Sequence, residues 1–348
     1  DRAEAEATDN PADNQHDAAR DPTDGRTPPE RPEHDQHDHG YDPHDEFHDG
    51  PDAEALDRII DTLEHKANMN VRGYRRASLV RRVRRRMAFA HIRTIPEYAE
   101  HIEQHEEELR AFAGDIHIHV TEFFRDPEAF RVLQNKALPD AFRAAAERDE
   151  PMVRVWVPGA ATGEEAYSIA IALLETRQRL KLANHVELRV FATDIDSDAI
   201  AEARRAVYHA DQLKAVSEAR KNRFFTRIDQ HNSKGSEQQE FRVNQQVRDI
   251  VSFAVHDVLE DPPFSKLDIA SCRNLLIYLD RDAQARALSL MHFGIVPGGY
   301  LLLGPSETAR DTAMFAAVDK KWRLYRRLEG SRRLVALDTR HVDRTTAA

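Results

Sequence analysis

Hydrophobic positions recur at two different periods along this chain, and the change comes near residue 150. Before it, the spacing is helical. In "DAEALDRIIDTLEHKANM" the apolar residues Leu56, Ile59, Ile60 and Leu63 fall on one face. In "RGYRRASLVRRVRRRMAFAHIR" the residues Leu79, Val80, Val83, Met87 and Ala90 share a face about 100° wide. Arg81, Arg82, Arg84, Arg85 and Arg86 cover the rest, which predicts an amphipathic helix with a basic outer side. "TIPEYAEHIEQHEEELRAF" predicts one more helix, started by Thr94 with Pro96 in its first turn. Together 53–120 read as a small helical domain. "DPEAFRVLQNKALPDAFRAAAER" adds a further helix or pair.

After residue 150 short apolar runs alternate with helical stretches. The predicted strands are Val153–Val157, Leu188–Ala192, Val251–Val255, Leu267–Ser271 and Tyr300–Leu303, with helices at 164–181, 197–206 and 280–292. This alternation implies a doubly wound α/β domain over 121–330, with a mostly parallel Rossmann-like sheet and helices on both faces. "KWRLYRRL" reads as one more strand, antiparallel to the others. More than forty residues separate the helix at 197–206 from the strand at 251. A plain crossover needs far fewer. Alternating apolar residues around the polar "NSKGSEQQ" predict a small antiparallel β insert over about 222–250. Residues 331–348 are left as a C-terminal tail.

Charge changes the picture at the N-terminus. The net charge is −11, yet residues 1–52 alone hold 17 Asp/Glu against 4 Arg, so the remainder is close to neutral. That segment is rich in Asp, Pro and His and poor in large apolar residues, and it reads as a disordered acidic tail. His34, His37, His39, His44 and His48 show no fixed-geometry ligand set, so no metal is expected there. The chain starts without Met, as a processed product or a piece of a longer chain would. Its beginning has no apolar core of a signal peptide, and no run of residues is long and apolar enough to span a membrane. The single cysteine, Cys272, excludes an internal disulfide framework and fits a cytoplasmic setting.

The candidate chemistry begins at "PGAATGEEAYSIAIALLE", residues 158–175, directly behind the apolar run "VRVWV". Gly159, Ala160, Ala161 and Gly163 let the backbone approach a ligand at a helix start. "FATDID" follows the second strand and places Asp194 where an acid accepts hydrogen bonds from ribose hydroxyls. A dinucleotide would want backbone N–H groups facing its pyrophosphate, and Glu164 and Glu165 would repel it. Carboxylates suit S-adenosylmethionine, which bears a sulfonium and an ammonium and no phosphate. The competing reading is structural, two acids favouring the dipole of a first helical turn.

Two other stretches are weighed and set aside. "DPPF", Asp261–Phe264, looks like the signature of amino methyltransferases acting on DNA, but it precedes the fourth strand instead of ending it. It reads as a loop with two rigid prolines. In "HIHVTEFFRDPEAF", Phe123 and Phe124 are by default core, and Arg125 by default pairs with an acid. Cys272 reads as a packed strand residue.

Several long segments, in order, resemble the chemotaxis receptor glutamate O-methyltransferase family of the CheR type. They are "VTEFFRDPEAF", "VWVPGAATGEEAYSIA", "FATDID", "DPPFSKLDIASCRNLLIYLD", "PGGYLLLGPSET" and "DKKWRLYRR". The wording is closest to the methyltransferase segment of chains that fuse it to methylesterase and sensor domains. The resemblance implies S-adenosylmethionine contacts at Thr121 and Arg125, with Arg125 also at the reacting centre. His119 stands where many members have Asn. The resemblance further implies Glu164 or Glu165, Asp194, and Arg273 with Asn274, while Gly159 is the close approach in the loop. Asp257 and Val258 stand where members often show Asn-Leu. Tyr278 would face the methyl-transfer site. The basic helix, with its five arginines from Arg81 to Arg86, and the β insert resemble receptor-docking parts. The implied reaction is methylation of glutamate carboxylates on the cytoplasmic helices of chemoreceptors, with methylesterase or sensor domains as further partners and no nucleic acid. A glutamate is already anionic at neutral pH, so the attack needs alignment and no general base. Two other functions stay open: an S-adenosylmethionine-binding module without catalysis, and a nucleic-acid methyltransferase.

Overall fold

The computed structural model describes residues 50–67, 69–116, 121–181, 185–228, 239–309 and 313–329. The N-terminal helices are α1 (Pro51–Ala67), α2 (Arg76–Ala90), α3 (Ile95–Gln104) and α4 (Glu106–Ile116). Leu56, Ile59, Leu63, Leu79, Val83, Tyr98, Ile102 and Phe112 form one apolar cluster between them. Thr94 caps α3 by accepting the Glu97 N–H, as its position before Pro96 predicted.

The single helix expected over 94–112 is two. His105 leaves the helical region (φ −120°, ψ 95°) between α3 and α4. In a straight helix ten residues rise about 15 Å, yet the Tyr98 hydroxyl donates to Glu108 at 2.9 Å and its ring meets Phe112 edge-on at 5.9 Å. The apolar period runs unbroken through the turn, so only packing reveals it. Arg86 of α2 completes this corner with a fork onto Glu108 at 2.9 and 2.6 Å.

Next come α5 (Pro127–Val132), a π turn (Leu133–Ala137) and α6 (Leu138–Ala146), continuous with one another. They lead into β1 (Met152–Pro158), α7 (Glu164–Arg179), β2 (Glu187–Asp194) and α8 (Ser197–Arg205). An insert follows: β3 (Val207–His209), α9 (Glu218–Phe224), β4 (Phe225–Ile228) and β5 (Glu240–Val243). The chain closes with α10 (Gln245–Arg248), β6 (Val251–Val255), β7 (Leu267–Cys272), α11 (Arg281–Gly294), β8 (Ile295–Leu303), β9 (Phe315–Asp319) and β10 (Leu324–Arg327). The main sheet has the order β6-β2-β1-β7-β8-β10-β9. Its pairs are parallel from β6 through β8, and β10 is antiparallel to both its neighbours.

Alternation along β1 serves two cores. Val153, Val155 and Val157 face one, with α6 and α7; Trp156 faces the other, with α11. Trp156 Nε1 donates to Thr193 Oγ1 at 3.0 Å, so its polar edge is satisfied inside the sheet. All of β7 is buried, as a central parallel strand requires. Helix α7 is buried from Ala166 to Leu174, which is why its apolar residues form no stripe. "DPPF" is a loop, and Phe264 stacks on Phe191 at 4.8 Å.

Three differences from the expected strands stand out. The three-stranded sheet, in the order β3-β5-β4, recruits Val207–His209, upstream of the expected 222–250. Those three residues follow the helix expected at 197–206 and pair with Glu240–Arg242 in β5. β8 begins at Ile295, because its Pro-Gly-Gly is absorbed in a bulge opposite Leu267–Ile269. β9 was not foreseen, since "FAAVD" has weak alternation and owes its pairing to β10. The acidic tail up to residue 49, its histidines, most of the "NSKGSEQQ" turn and the tail from 330 lie outside the described residues. Among the described residues no helix is long and apolar enough to cross a membrane.

The Arg86 fork holds the Glu108 carboxyl below the usual carboxylate range. A depressed pKa means the pair contributes fully above the unfolded Glu value near about 4.3 and is lost as pH falls through the folded value. Glu108→Gln should therefore lower Tm at pH 7 by a few degrees and flatten the fall of Tm on the acid side. Thermal melts between pH 7 and 3 measure this; an unchanged acid slope would contradict it.

Candidate active site

The strand order reverses between β1 and β7, and a cleft opens at the carboxyl ends of β1, β2, β6 and β7. It encloses about 790 Å³ of space, including its open mouth. The β1–α7 loop forms its floor through left-handed backbone at Gly159 (φ 69°), Ala161 (φ 45°) and Gly163 (φ 97°). A Cβ at Gly163 would come within 3.0 Å of Ala203 Cβ and of the Tyr208 hydroxyl. Asp194 holds this loop: its Oδ2 accepts the Ala161 N–H at 2.8 Å, and Oδ1 accepts the Asp196 N–H at 3.0 Å. Asp257 accepts the Leu259 N–H at 2.7 Å, and burial pushes its carboxyl up.

Of the residues singled out from sequence, Gly159, Asp194, Asp257, Val258, Asn274 and Tyr278 line the cleft together. The helical domain closes it with Asn70, Tyr74 and Ile116, none of which sequence reasoning named. Tyr74 is pushed up to about 12 by burial, with the charges of Asp194 and Asp257 adding to it. The join is made by backbone: Arg75 N–H donates to Tyr278 O and Asp280 N–H to Gly73 O, both at 2.9 Å. Gly73 leaves little room for a side chain there, since a Cβ would meet Ala283 at 3.0 Å and Leu259 at 3.1 Å. That glycine, with Tyr74 next to it, was the available signal.

The five arginines of α2 do not act as one face. Arg81, Arg84 and Arg85 are exposed. Arg86 belongs to the Glu108 fork. Arg82 turns inward, donating to Asp115 O at 2.9 Å and Ser78 O at 3.0 Å, and lies 5.8 Å over the ring of Tyr278. Burial lowers its pKa.

A second cluster lies behind the cleft wall. Arg273, at 4% exposure, donates through Nη2 to Arg125 O at 2.9 Å and Asp126 Oδ2 at 2.7 Å, and through Nη1 to Glu165 at 3.3 Å. Its Nε is buried without a hydrogen-bond partner among the described residues. Ser271 donates to Glu165 at 2.7 Å. Ser168 accepts the Phe124 N–H at 2.9 Å, and Phe123 packs edge-on against Tyr208 and Phe225. These contacts hold the strained turn at Phe124 (φ 53°) and Asp126 (φ 57°), and so place Arg125 between them. Burial raises the Glu165 carboxyl, and Arg273 opposes the rise.

Glu164 and Glu165, expected at the mouth, are each taken up by partners of their own and are not among the residues lining this cleft. Glu164 is 1% exposed and faces the other way, accepting from Thr162 at 2.7 Å and Gln212 at 3.2 Å. Consecutive positions of a helix diverge by about 100°, so Glu164 and Glu165 meet different neighbours around α7. The acids of the cleft are Asp194 and Asp257. Thr121, Arg125, Arg273 and both glutamates stand off its wall. His119 lies outside the described residues.

Two carboxylates and no Lys or Arg line the cleft. A phosphate there would meet acids without a counter-charge, whereas a cationic nucleoside fits. Residues 119–324 match the family model of the CheR methyltransferase, SAM binding domain, and 54–116 that of the CheR methyltransferase, all-alpha domain.

The chain belongs to the CheR methyltransferase family.

Its ligand is S-adenosylmethionine, as the matched domain and the charge of the cleft agree. An uncharacterized 104.1 kDa protein of Rhodobacter capsulatus is 34% identical over 79% of the chain, and the chain spans only 28% of that relative. Chemotaxis protein methyltransferase 2 of Pseudomonas aeruginosa is 31% identical over 65% of this chain and 76% of its own. The chemotaxis protein methyltransferase of Escherichia coli is 30% identical over 72% and 82%. A solved structure titled "DhpI-SAH complex structure" shares 14% identity and a TM-score of 0.31 over 72% of this chain and 78% of that one, too distant to carry weight.

Because Arg273 is wholly enclosed, replacing it leaves Glu165, 13% exposed, without its guanidinium, while Asp126, 30% exposed, keeps access to water. Arg273→Met should cost about 3 kcal/mol, the lower end of the loss when one partner of a buried ion pair is removed. Denaturant unfolding measures it, and a loss under 1 kcal/mol would show the pair to behave as a surface one.

Proposed function

We propose that this CheR-family chain methylates glutamate side chains of chemoreceptors, giving methyl esters. The observation that carries the reading is the stacking of Arg82, on the basic helix, over Tyr278 at the rim of the cleft. It joins an arginine-rich surface to the cleft mouth. Arg81, Arg84 and Arg85 remain exposed beside it and suit an acidic helix as partner. The chemotaxis methyltransferases among the relatives support the same reading.

S-adenosylmethionine supplies a methyl group made electrophilic by its sulfonium, and a carboxylate oxygen displaces it in line. In this reading Asp194, already oriented by two backbone N–H groups, takes the ribose hydroxyls. Asp257 and Val258 border the base, and Asn274 the amino-acid portion. Arg125, on the turn just behind the cleft wall, extends its forked donors to the incoming carboxylate in this reading, and Tyr278 donates a hydrogen bond to it. No proton has to be removed from a glutamate that is ionised at pH 7. Alignment of oxygen, carbon and sulfur is then the main demand, and contacts that bind substrate and transition state equally would not speed the step.

Asp194→Asn should weaken S-adenosylhomocysteine binding by roughly tenfold, the equivalent of about 1.4 kcal/mol, in isothermal titration. Unchanged affinity would remove the ribose role. For the reaction, the chain is incubated with labelled S-adenosylmethionine and receptor-containing membranes, and the product is treated with alkali. Release of labelled methanol is expected; a label that survives alkali would redirect the activity to nucleic acid or nitrogen acceptors, and cofactor binding without transfer would make the chain a sensor module. Tyr278→Phe should lower kcat with little change in cofactor affinity, while Arg125→Ala should lower both.

A further inference from the structure

A buried carboxylate stands behind the corner that carries Asn274 and Tyr278. Glu307 is 4% exposed and lies just past the end of β8. Its Oε2 accepts the backbone N–H of Asn274 at 2.9 Å and of Gly304 at 2.6 Å, and its Oε1 accepts that of Leu276 at 2.7 Å. Donors from two chain segments thus converge on one anion. The corner needs such a holder. Asn274 is in left-handed backbone at φ 61°, Leu276–Tyr278 is a single 3-10 turn, and Leu279 returns to extended chain. Gly304 is fitted to the same purpose, because a Cβ would lie 2.7 Å from Glu307 Oε2 and 3.0 Å from Asn274 N. Glu307 is absent from the cleft wall, whereas Asn274, Leu275 and Tyr278 form part of it.

We propose that Glu307 is a positioning residue for methyl transfer, holding the 274–278 turn so that Asn274 and Tyr278 reach the cleft. This rests on the reading that Tyr278 stands at the methyl-transfer centre. Glu307 touches neither methyl donor nor acceptor; it acts through the backbone of the residues that do. An amide cannot replace it, since Glu307→Gln presents an NH2 where an acceptor is required. Glu307→Asp keeps both acceptors on a stem one methylene shorter.

The test uses the full chain with three readouts: thermal melting, calorimetric titration with S-adenosylhomocysteine, and methyl transfer from labelled S-adenosylmethionine to receptor membranes. A folded Glu307→Gln is expected to lose about 10²-fold in kcat, the scale of an ångström-sized misplacement. Its S-adenosylhomocysteine affinity should fall roughly tenfold through Asn274, and Glu307→Asp should recover part of both losses. Combined with Tyr278→Phe, the change should add less than about twofold to the larger single loss, because residues acting as a unit are not additive. A folded Glu307→Gln with lowered Tm but wild-type kcat and affinity would overturn the proposal. So would losses that multiply in the double variant. Failure of both Gln and Asp variants to fold would overturn it too, by assigning the carboxylate to the fold alone. A wild-type chain that transfers methyl to no receptor would sink the glutamate reading instead, and the titration would still read the corner through Asn274.

Discussion

The guanidinium of Arg273 is the point on which the cleft is built. It comes off the end of the central strand β7 with no exposed side-chain surface. From there it reaches the turn at Arg125–Asp126 and the first turn of α7. A charge so enclosed is held by its carboxylate and carbonyl partners, though its Nε has none among the described residues, and removal of one partner is costlier than the pair is favourable. Three segments far apart in the chain therefore keep one geometry. The residue following it, Asn274, turns the chain back along the cleft, and Glu307 gathers the N–H groups of that turn. A cation and an anion, both buried, thus sit on either side of one corner. Each satisfies backbone or charge that the corner would otherwise leave bare.

Charge is sorted by depth around this corner. Inside, the cleft has Asp194 and Asp257 and no Lys or Arg. Outside, α2 presents Arg81, Arg84 and Arg85 to solvent. A positively charged nucleoside and an acidic protein surface would each find the opposite sign on its own side, which is the arrangement a transfer between them requires. Arg82 lies on the boundary, half-buried over Tyr278. The helical domain is more than a cover: Tyr74 and Asn70 complete the cleft wall, and the Gly73–Arg75 backbone is bonded to the loop carrying Tyr278.

Much of this was legible in the residues. The change of apolar period near residue 150 separated helices from the α/β sheet, because burying one face of a helix or both faces of a strand leaves different spacings. The loop glycines and Asp194 were readable because close backbone approach and an acid at the next strand end are local requirements. Tyr278 and Asn274 came from motif resemblance, and both line the cleft. The two glutamates were read at the start of α7, and the structure places each against its own set of partners. Their helix start was visible, but which side of α7 each carboxyl meets depends on Gln212 in the insert and Ser271 on β7.

By itself the sequence determined most of the elements, the doubly wound class and the CheR-type resemblance. These follow from local propensity, periodicity and residue chemistry over short spans. Only the tertiary structure decided the break at His105, the inward turn of Arg82, the strands β3 and β9, the enclosure of Arg273, and the anchoring role of Glu307. Most of those depend on a partner distant in the chain, as Arg273 and Arg125 are, 148 positions apart. Periodicity reports how much of a side chain is buried, and it is silent about which distant group meets it there.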